Sequence, residues 1–294
     1  VALPLQWHWG MASLRLSAIL ACITAAACGS SAGSASSTGA QPPPLQGDWS
    51  CVTLRAQRAD AKRGHAPITR LASTPPSGLT TLSVYLAEAY TDEGLPGVWV
   101  TACNAIDAVC AWPLARVQAD EYGLATLTLP AAATTFGGYL KVTAPAMPDN
   151  YVSLAGRQPT YGSDAVTVTV YTTAALSLTY AIAGLPFDAQ HGVVHVDVDD
   201  CSGAPAASVA LAFEGDQLGG ITTGYGVGDG SAVSRTATAT DGSGAAFAFG
   251  VVPGPIGVLG ELEGTCVGDA MGFAYAGAVT SVTLRPSAAA ASLE

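Results

Sequence analysis

Leu82-Ser-Val-Tyr-Leu-Ala87 places an apolar side chain at every second position, and the same spacing returns at Val98/Val100, Ala125/Leu127/Leu129, Leu140/Val142 and Val166/Val168/Val170. A period of two is that of a strand with one buried face, whereas a helix would repeat every three to four residues. Each run is closed by turn formers, as in Asp92-Glu-Gly-Leu-Pro96 and Pro148-Asp-Asn150. Downstream the pattern continues through Val194/Val196/Val198, Val209/Leu211/Phe213, Phe247/Phe249, Ile256/Val258 and Val282/Leu284. Only Thr172 to Ile182, rich in Ala and Leu, leaves a helix and a further strand both open. Short strands with regular turn signals predict an all-β sandwich architecture. The length suits two such units better than one.

The two halves echo each other. The first contains Gly94-Leu-Pro-Gly-Val-Trp-Val100 and then Asp120-Glu-Tyr-Gly123 before a strand; the second contains Gly203-Ala-Pro-Ala-Ala-Ser-Val-Ala-Leu211 and then Asp241-Gly-Ser-Gly244 before a strand. In an Asp-x-x-Gly turn the carboxylate accepts backbone N–H groups just ahead of it, and the glycine can take positive φ. Asp120/Gly123 and Asp241/Gly244 are therefore expected to close hairpins. On these residues both halves, over Leu79 to Pro286, resemble the carboxypeptidase regulatory-like domains, a transthyretin-like (prealbumin-like) sandwich family. The resemblance implies two tandem transthyretin-like/Ig-like β-sandwich domains, with the turn as a structural element and an accessory, adhesive or scaffolding role. The Gly-rich stretch 215–234 departs from the compact pattern and is expected to be a loop or an extra hairpin.

Outside the repeats, Met11-Ala-Ser-Leu-Arg15 and the apolar run to Ala27 have the form of an export signal. The run would span about 18 Å as a helix, against a hydrocarbon core of about 30 Å, so it does not predict a permanent span. It ends in Ala25-Ala-Ala-Cys28-Gly29, which resembles the lipobox of bacterial lipoproteins, with Ala25 where that motif usually has Leu. The resemblance implies cleavage before Cys28, lipidation of Cys28, and a membrane partner reached through the lipid. Gly29 lacks an Asp-type retention signal, which by the same resemblance favours the outer membrane, on its periplasmic or surface face. Val1 to Gly10 fit no part of a signal. After Cys28 comes a Ser/Gly/Ala run ending in Pro42-Pro-Pro44, a flexible tether with a stiffer spacer. The expected organisation is residues 1–27 as extension and signal, 28–48 as tether, 49–172 and 173–287 as the two sandwiches, and 288–294 as a disordered tail.

The chain carries 11 basic and 22 acidic residues; losing the signal removes Arg15 and no acid, which leaves −12. Phosphate backbones demand clustered Lys and Arg, so nucleic acid is not an expected partner. Five cysteines remain after Cys22 and Cys28 are set aside, in keeping with an oxidising compartment. Their spacing suggests Cys103 with Cys110 and Cys201 with Cys266, leaving Cys51 over as a free thiol, as a partner between chains, or as a residue that displaces one of these assignments.

Chemistry-bearing patterns are sparse. His191-Gly-Val-Val-His195-Val-Asp197-Val-Asp199 places His195, Asp197 and Asp199 on one face of a strand, the most suggestive though weak metal or acid/base candidate. His191 and His195 would stand about 13 Å apart on an extended strand, so the run is read as a solvated face. Asp120, Glu121 and Asp241 could hold calcium at loop tips, but turn formation accounts for them. Gly224-Tyr-Gly-Val-Gly-Asp-Gly230 lacks the Lys-Ser/Thr of a phosphate-binding loop and is read as a surface loop. Gly29-x-Ser31-x-Gly33 sits in low-complexity sequence where no nucleophile elbow can form. Trp99, Tyr139 and Tyr85 are core or sheet-face aromatics that could form a strip for sugar or peptide. Hydroxyisourate hydrolases, which share the transthyretin-like fold, end in Tyr-Arg-Gly-Ser, whereas Arg285 here begins Arg-Pro-Ser-Ala; the His-x-His pair of intradiol dioxygenases is also missing. No catalytic residue and no cofactor are therefore expected. The expected function is a non-catalytic envelope module that binds a protein or glycan, with a metal-dependent enzyme or hydrolase on the His195/Asp197/Asp199 face as the alternative.

Overall fold

The computed structural model describes residues 47–52, 78–130, 138–154, 165–214, 220–228 and 230–286; Cys28, the signal, most of the tether and the C-terminal tail lie outside them. Its elements in the first half are β1 (Leu79–Glu88), β2 (Trp99–Cys103), β3 (Ala115–Gln118), β4 (Leu124–Pro130), β5 (Tyr139–Thr143), β6 (Asn150–Ser153) and β7 (Val166–Val170). Helix α1 (Thr173–Ile182) resolves the open segment, with the Thr172 hydroxyl accepting the Ala175 N–H as its N-cap. The second half comprises β8 (Gly192–Val198), β9 (Ala210–Glu214), β10 (Thr222–Val227), β11 (Ala232–Ser234), β12 (Ala245–Val251), β13 (Gly254–Leu262), β14 (Thr265–Ala274) and β15 (Val279–Pro286).

Both halves are β-sandwiches, and one sheet serves both. Strands run side by side in the order β11-β10-β12-β8-β15-β6-β5-β2-β3, and the joint is the parallel pairing of β15 with β6, Val279 to Asn150 through Ser281 to Val152. A second layer β4-β1-β7 covers the first half, and β9-β13-β14 covers the second. Register shows that these layers lie on opposite faces. Val152, in the first core with Leu82, Val84 and Leu140, is level with Ser281 and thus with His195, whereas Val194, Val196 and Val282 point the other way, into the second core with Ile256 and Val258. The face of β8 that carries His195 is closed by α1, with Tyr171, Leu176, Tyr180, Phe247 and Phe249 forming a third cluster.

The joint is satisfied in its polar groups as well as packed. Asn150, almost wholly buried, donates to the Pro148 and Tyr171 carbonyls and accepts the Tyr171 N–H. Glu88, at the end of β1, accepts from the Thr172 hydroxyl and from the Tyr90 and Thr91 N–H groups, and the Tyr90 and Thr179 hydroxyls bond at 2.8 Å. A buried polar group left unpaired would cost roughly 1–3 kcal/mol, so such pairings define one arrangement of the two halves.

The repeated turn is real, but its geometry corrects the expectation of hairpins. Asp120 Oδ1 accepts the Tyr122 and Leu124 N–H groups, and Gly123 donates to the Asp120 carbonyl, between β3 and β4, which belong to different sheets. In the second half Asp241 Oδ1 accepts from Ser243, and Gly244 donates to the Asp241 carbonyl. The first turn is an inter-sheet corner and the second leads from Thr240, bonded to Ser208 and Val209 ahead of β9, into β12; each is seated against the preceding Pro-containing turn: Leu86 N–H donates to Gly123 O and Leu95 N–H to Leu86 O, as Val198 N–H donates to Gly244 O and Ala206 N–H to Val198 O. Glycine is required for two reasons at once. Its φ is +82° at Gly123 and +67° at Gly244, and an added Cβ would stand 2.6 Å from Leu95 N or Val198 O.

Two further expectations are revised. Cys51, not Cys266, is joined to Cys201, while Cys103 and Cys110 are joined to each other and Cys266 lies half-buried on β14. The reason is the path of the chain: Asp48 donates to Asp200 Oδ2, Cys201 donates to the Asp48 carbonyl, and Trp49 and Val52 pack on the second core. Residues 49–52, grouped with the first sandwich from sequence, are thereby fastened to the second. Gly224 and Gly226 stand within β10, not in a surface loop, because a side chain at Gly224 would strike Val233 of β11 at 2.6 Å. The segment is the extra hairpin, β10 with β11, of which residues 215–219 and 229 lie outside those described.

Candidate binding face

Because the second layers lie on opposite faces, among the described residues β2, β3 and β5 have one face that neither layer covers, while Tyr151 of β6, 7% exposed, is closed over by Tyr275. Alternation decides what stands on it. Val100, Ala102, Leu140, Val142 and Val152 point into the first core, so Trp99, Thr101, Arg116, Tyr139, Lys141 and Tyr151 point to the other side. The Arg116 guanidinium lies 4.4 Å from the centre of the Trp99 ring, and Lys141 Nζ lies 5.3 Å from the centre of Tyr151. Lys141 also pairs with Asp149 at 3.0 Å. Burial, which would lower the Lys141 pKa, is outweighed by Asp149 and Tyr151, and the group is held above its usual value.

Toward the second sandwich this face deepens into a cleft of about 400 Å³, lined by Tyr139, Tyr151, Phe273, Tyr275 and Met271, with Ala105 and Ala108 on its rim. Tyr151 stacks on Tyr275 with ring centres 3.6 Å apart, and Phe273 and Tyr139 flank the pair at 5.0 and 6.0 Å. The rim is the loop closed by Cys103–Cys110. Tyr139 donates its hydroxyl to the Asp107 carbonyl, and Tyr275 donates to the Ala108 carbonyl. Asp107 organises the loop by accepting the Ala111 and Trp112 N–H groups, which hold its carboxyl below the usual range. Burial and the neighbouring Tyr139 hydroxyl push the Tyr275 phenol far above its usual value, so it remains a neutral donor. The same loop carries Ile106, 92% exposed, and Trp112, two residues past Cys110, is 83% exposed. The arrangement is a row of fixed rings with polar edges, suited to holding flat, partly apolar ligands.

Of the aromatics expected to form a strip, Trp99 and Tyr139 share this face. Tyr85 does not: it stands on the outer side of β1, opposite Val84 and Leu86, with its hydroxyl on the Asp92 carbonyl. Tyr151, Phe273 and Tyr275 were missed by sequence reasoning. The spacing within β14 gave no hint that its end would meet β6, since that meeting depends on the β15·β6 pairing.

The His195/Asp197/Asp199 face differs from the solvated strand expected. His195 is 5% exposed, at 5.6 Å from Tyr171 and 4.9 Å from Phe247 between ring centres, because α1 covers this side of β8. Its Nε2 lies 3.5 Å from Asp197 Oδ1, and its Nδ1 is buried without a hydrogen-bond partner among the described residues. Asp199 is drawn away to Arg285 at 2.9 Å, so the three do not converge. Asp200, next in the chain, is held at about 2: burial pushes its pKa up, but hydrogen bonds from Ser202, the Asp48 N–H and the Ala204 N–H outweigh it. His191 bonds to Asp188 in the preceding turn. Asp120 and Asp241 are engaged in their separate turns, and among the described residues no group of three His, Cys, Asp or Glu is placed to hold a metal ion.

No protein-family model matches the chain, and no curated protein does. Among solved structures, the shaft pilin SpaA from Lactobacillus rhamnosus GG aligns at 14% identity over 71% of this chain and 98% of its own, with a TM-score of 0.22. A Streptococcal ancillary pilin aligns at 12% identity over 71% of this chain and 69% of its own, with a TM-score of 0.22. The C-terminal fragment of the pilus adhesin SpaC from Lactobacillus rhamnosus GG gives 11% identity, 70% and 98% coverage, and a TM-score of 0.18. At such scores the fold rests on the strand pairings and cores above. Among the described residues no helix is long and apolar enough to cross a membrane.

Proposed function

We propose that this chain is a non-catalytic cell-envelope module, lipid-anchored through Cys28, that binds a glycan on the uncovered face of its shared sheet. The observation that carries the reading is the group of contacting rings Tyr139, Tyr151, Tyr275 and Phe273 at a cleft walled by a disulfide-closed loop, with Trp99 about 12 Å from Tyr151 on the same sheet face. Pyranose rings offer C–H faces that stack on aromatic rings and hydroxyls that reach polar edges, which is the ligand geometry such a group suits. The tether of residues 28–48 would hold the two sandwiches off an outer membrane, and its end is fastened to the second of them beside Asp200. The alternative, an enzyme built on His195, Asp197 and Asp199, is not supported by an accessible convergence of those groups.

The test is a printed array of bacterial and plant glycans probed with the full mature chain and with Trp99→Ala. Retention of at least one glycan by the wild type, lost in the variant, is expected. Failure of the wild type to retain any glycan would defeat the reading.

A further inference from the structure

The rest of the face narrows the ligand class. Among the described residues the cationic side chains are Arg116, Lys141, Arg235 and Arg285. Arg235 donates to the Ala183 carbonyl and Arg285 pairs with Asp199, both on the second sandwich. The other two stand on the uncovered face, each laid against an aromatic ring. Among the described residues, whose other cations are engaged on the second sandwich, this face carries the positive charge. A neutral sugar would need the rings alone.

Lys141 shares its charge with Asp149, so Arg116 is the stronger anchor for an added carboxylate. Its guanidinium offers parallel N–H donors that match both oxygens of a carboxylate, and stacking on Trp99 orients that fork without neutralising it. From register, Trp99 lies two strands and one pleat repeat from Tyr151, about 12 Å away, so the Arg116–Trp99 pair and the cleft beside Tyr151 are set for different residues of one extended chain.

We propose that the face takes an acidic polysaccharide: uronic-acid rings stack on Trp99 and, in the cleft, against Phe273 and Tyr275, while a carboxylate is held by Arg116. This rests on the glycan-binding reading above and specifies its substrate class. A carboxylate held by a guanidinium at an exposed position makes the binding weaken with salt.

The test is affinity electrophoresis of the full mature chain through gels containing polygalacturonate, dextran or polyglutamate. Polygalacturonate should retard the wild type, with dextran and polyglutamate having little effect. Arg116→Ala and Trp99→Ala, at solvent-facing positions, should each weaken retardation by about tenfold, the loss of one charge-assisted or ring contact. Tyr85→Phe, on the outer side of β1, should leave it unchanged. Circular dichroism of the variants checks that each is folded. Equal retardation by dextran would overturn the acidic class and leave the glycan reading standing. Equal retardation by polyglutamate would overturn the inference in favour of charge alone, and no retardation by either polysaccharide would sink both readings.

Discussion

Removing the Cys51–Cys201 bond should be the most damaging single covalent change to this protein. The bond closes a separation of 150 residues, running from the end of the tether through the whole first sandwich to the end of β8. Chain entropy assigns such a loop roughly 5 kcal/mol, against roughly 2.5 kcal/mol for a loop as short as Cys103 to Cys110. Taking roughly 2–4 °C per kcal/mol for a protein of this size, the melting temperature should fall by on the order of 10–20 °C in Cys51→Ser/Cys201→Ser. Removing both cysteines matters, because a lone Cys201 could be captured by Cys266. The fall should be accompanied by release of Trp49 and Val52 from the second core. Differential scanning calorimetry measures the shift, and non-reducing peptide mapping of the wild type identifies the bond. A double variant that melts with the wild type, or a map that joins Cys201 to Cys266, would refute the reasoning.

The remaining predictions concern the repeated turn, the acid range and the buried histidine. Gly123→Ala and Gly244→Ala should each cost at least about 2 kcal/mol in urea unfolding, since positive φ and a backbone clash act together; Gly242→Ala, where an added Cβ meets nothing within 4 Å, should be near neutral. Asp200 is held down at about 2 from 3.8, so its contribution to stability is present above 3.8 and is lost as pH falls toward 2. In acid titration followed by circular dichroism, Asp200→Asn should flatten that part of the curve, and an unchanged curve would remove Asp200 from the account. His195→Ala should lower stability by about 2–4 kcal/mol, as a cavity among Tyr171 and Phe247, without changing retention on a glycan. A bound stoichiometric metal that disappears in this variant would restore the metal-site reading.

The strands, their inward faces and the repeated Asp-x-x-Gly turn were legible because each is a local pattern. Alternation at Leu82, Val84 and Leu86 needs no partner to be recognised, and Gly123 declares its turn through the aspartate three residues before it. What remained hidden depends on contacts between segments far apart in the chain. His195 looked solvated because its strand alternates, and only α1, packed from outside that strand, turns the polar side of β8 into a core. The Cys51 partner was unreadable because residues 48 to 52 return to the second sandwich, and loop length alone cannot reveal a crossing of that kind. The binding face was half visible. Trp99 and Tyr139 announced themselves, whereas Tyr151 and Tyr275 meet only because β15 pairs with β6.

Hydrogen exchange read by mass spectrometry on the mature chain, with and without polygalacturonate, would test the central claim most directly. Protection should gather on peptides covering residues 99–118, 139–153 and 271–280, the parts of three separate segments that meet on the uncovered face. Protection confined to α1 or to β1 and β7, on the opposite side of the shared sheet, or unchanged exchange throughout at saturating polymer, would contradict it.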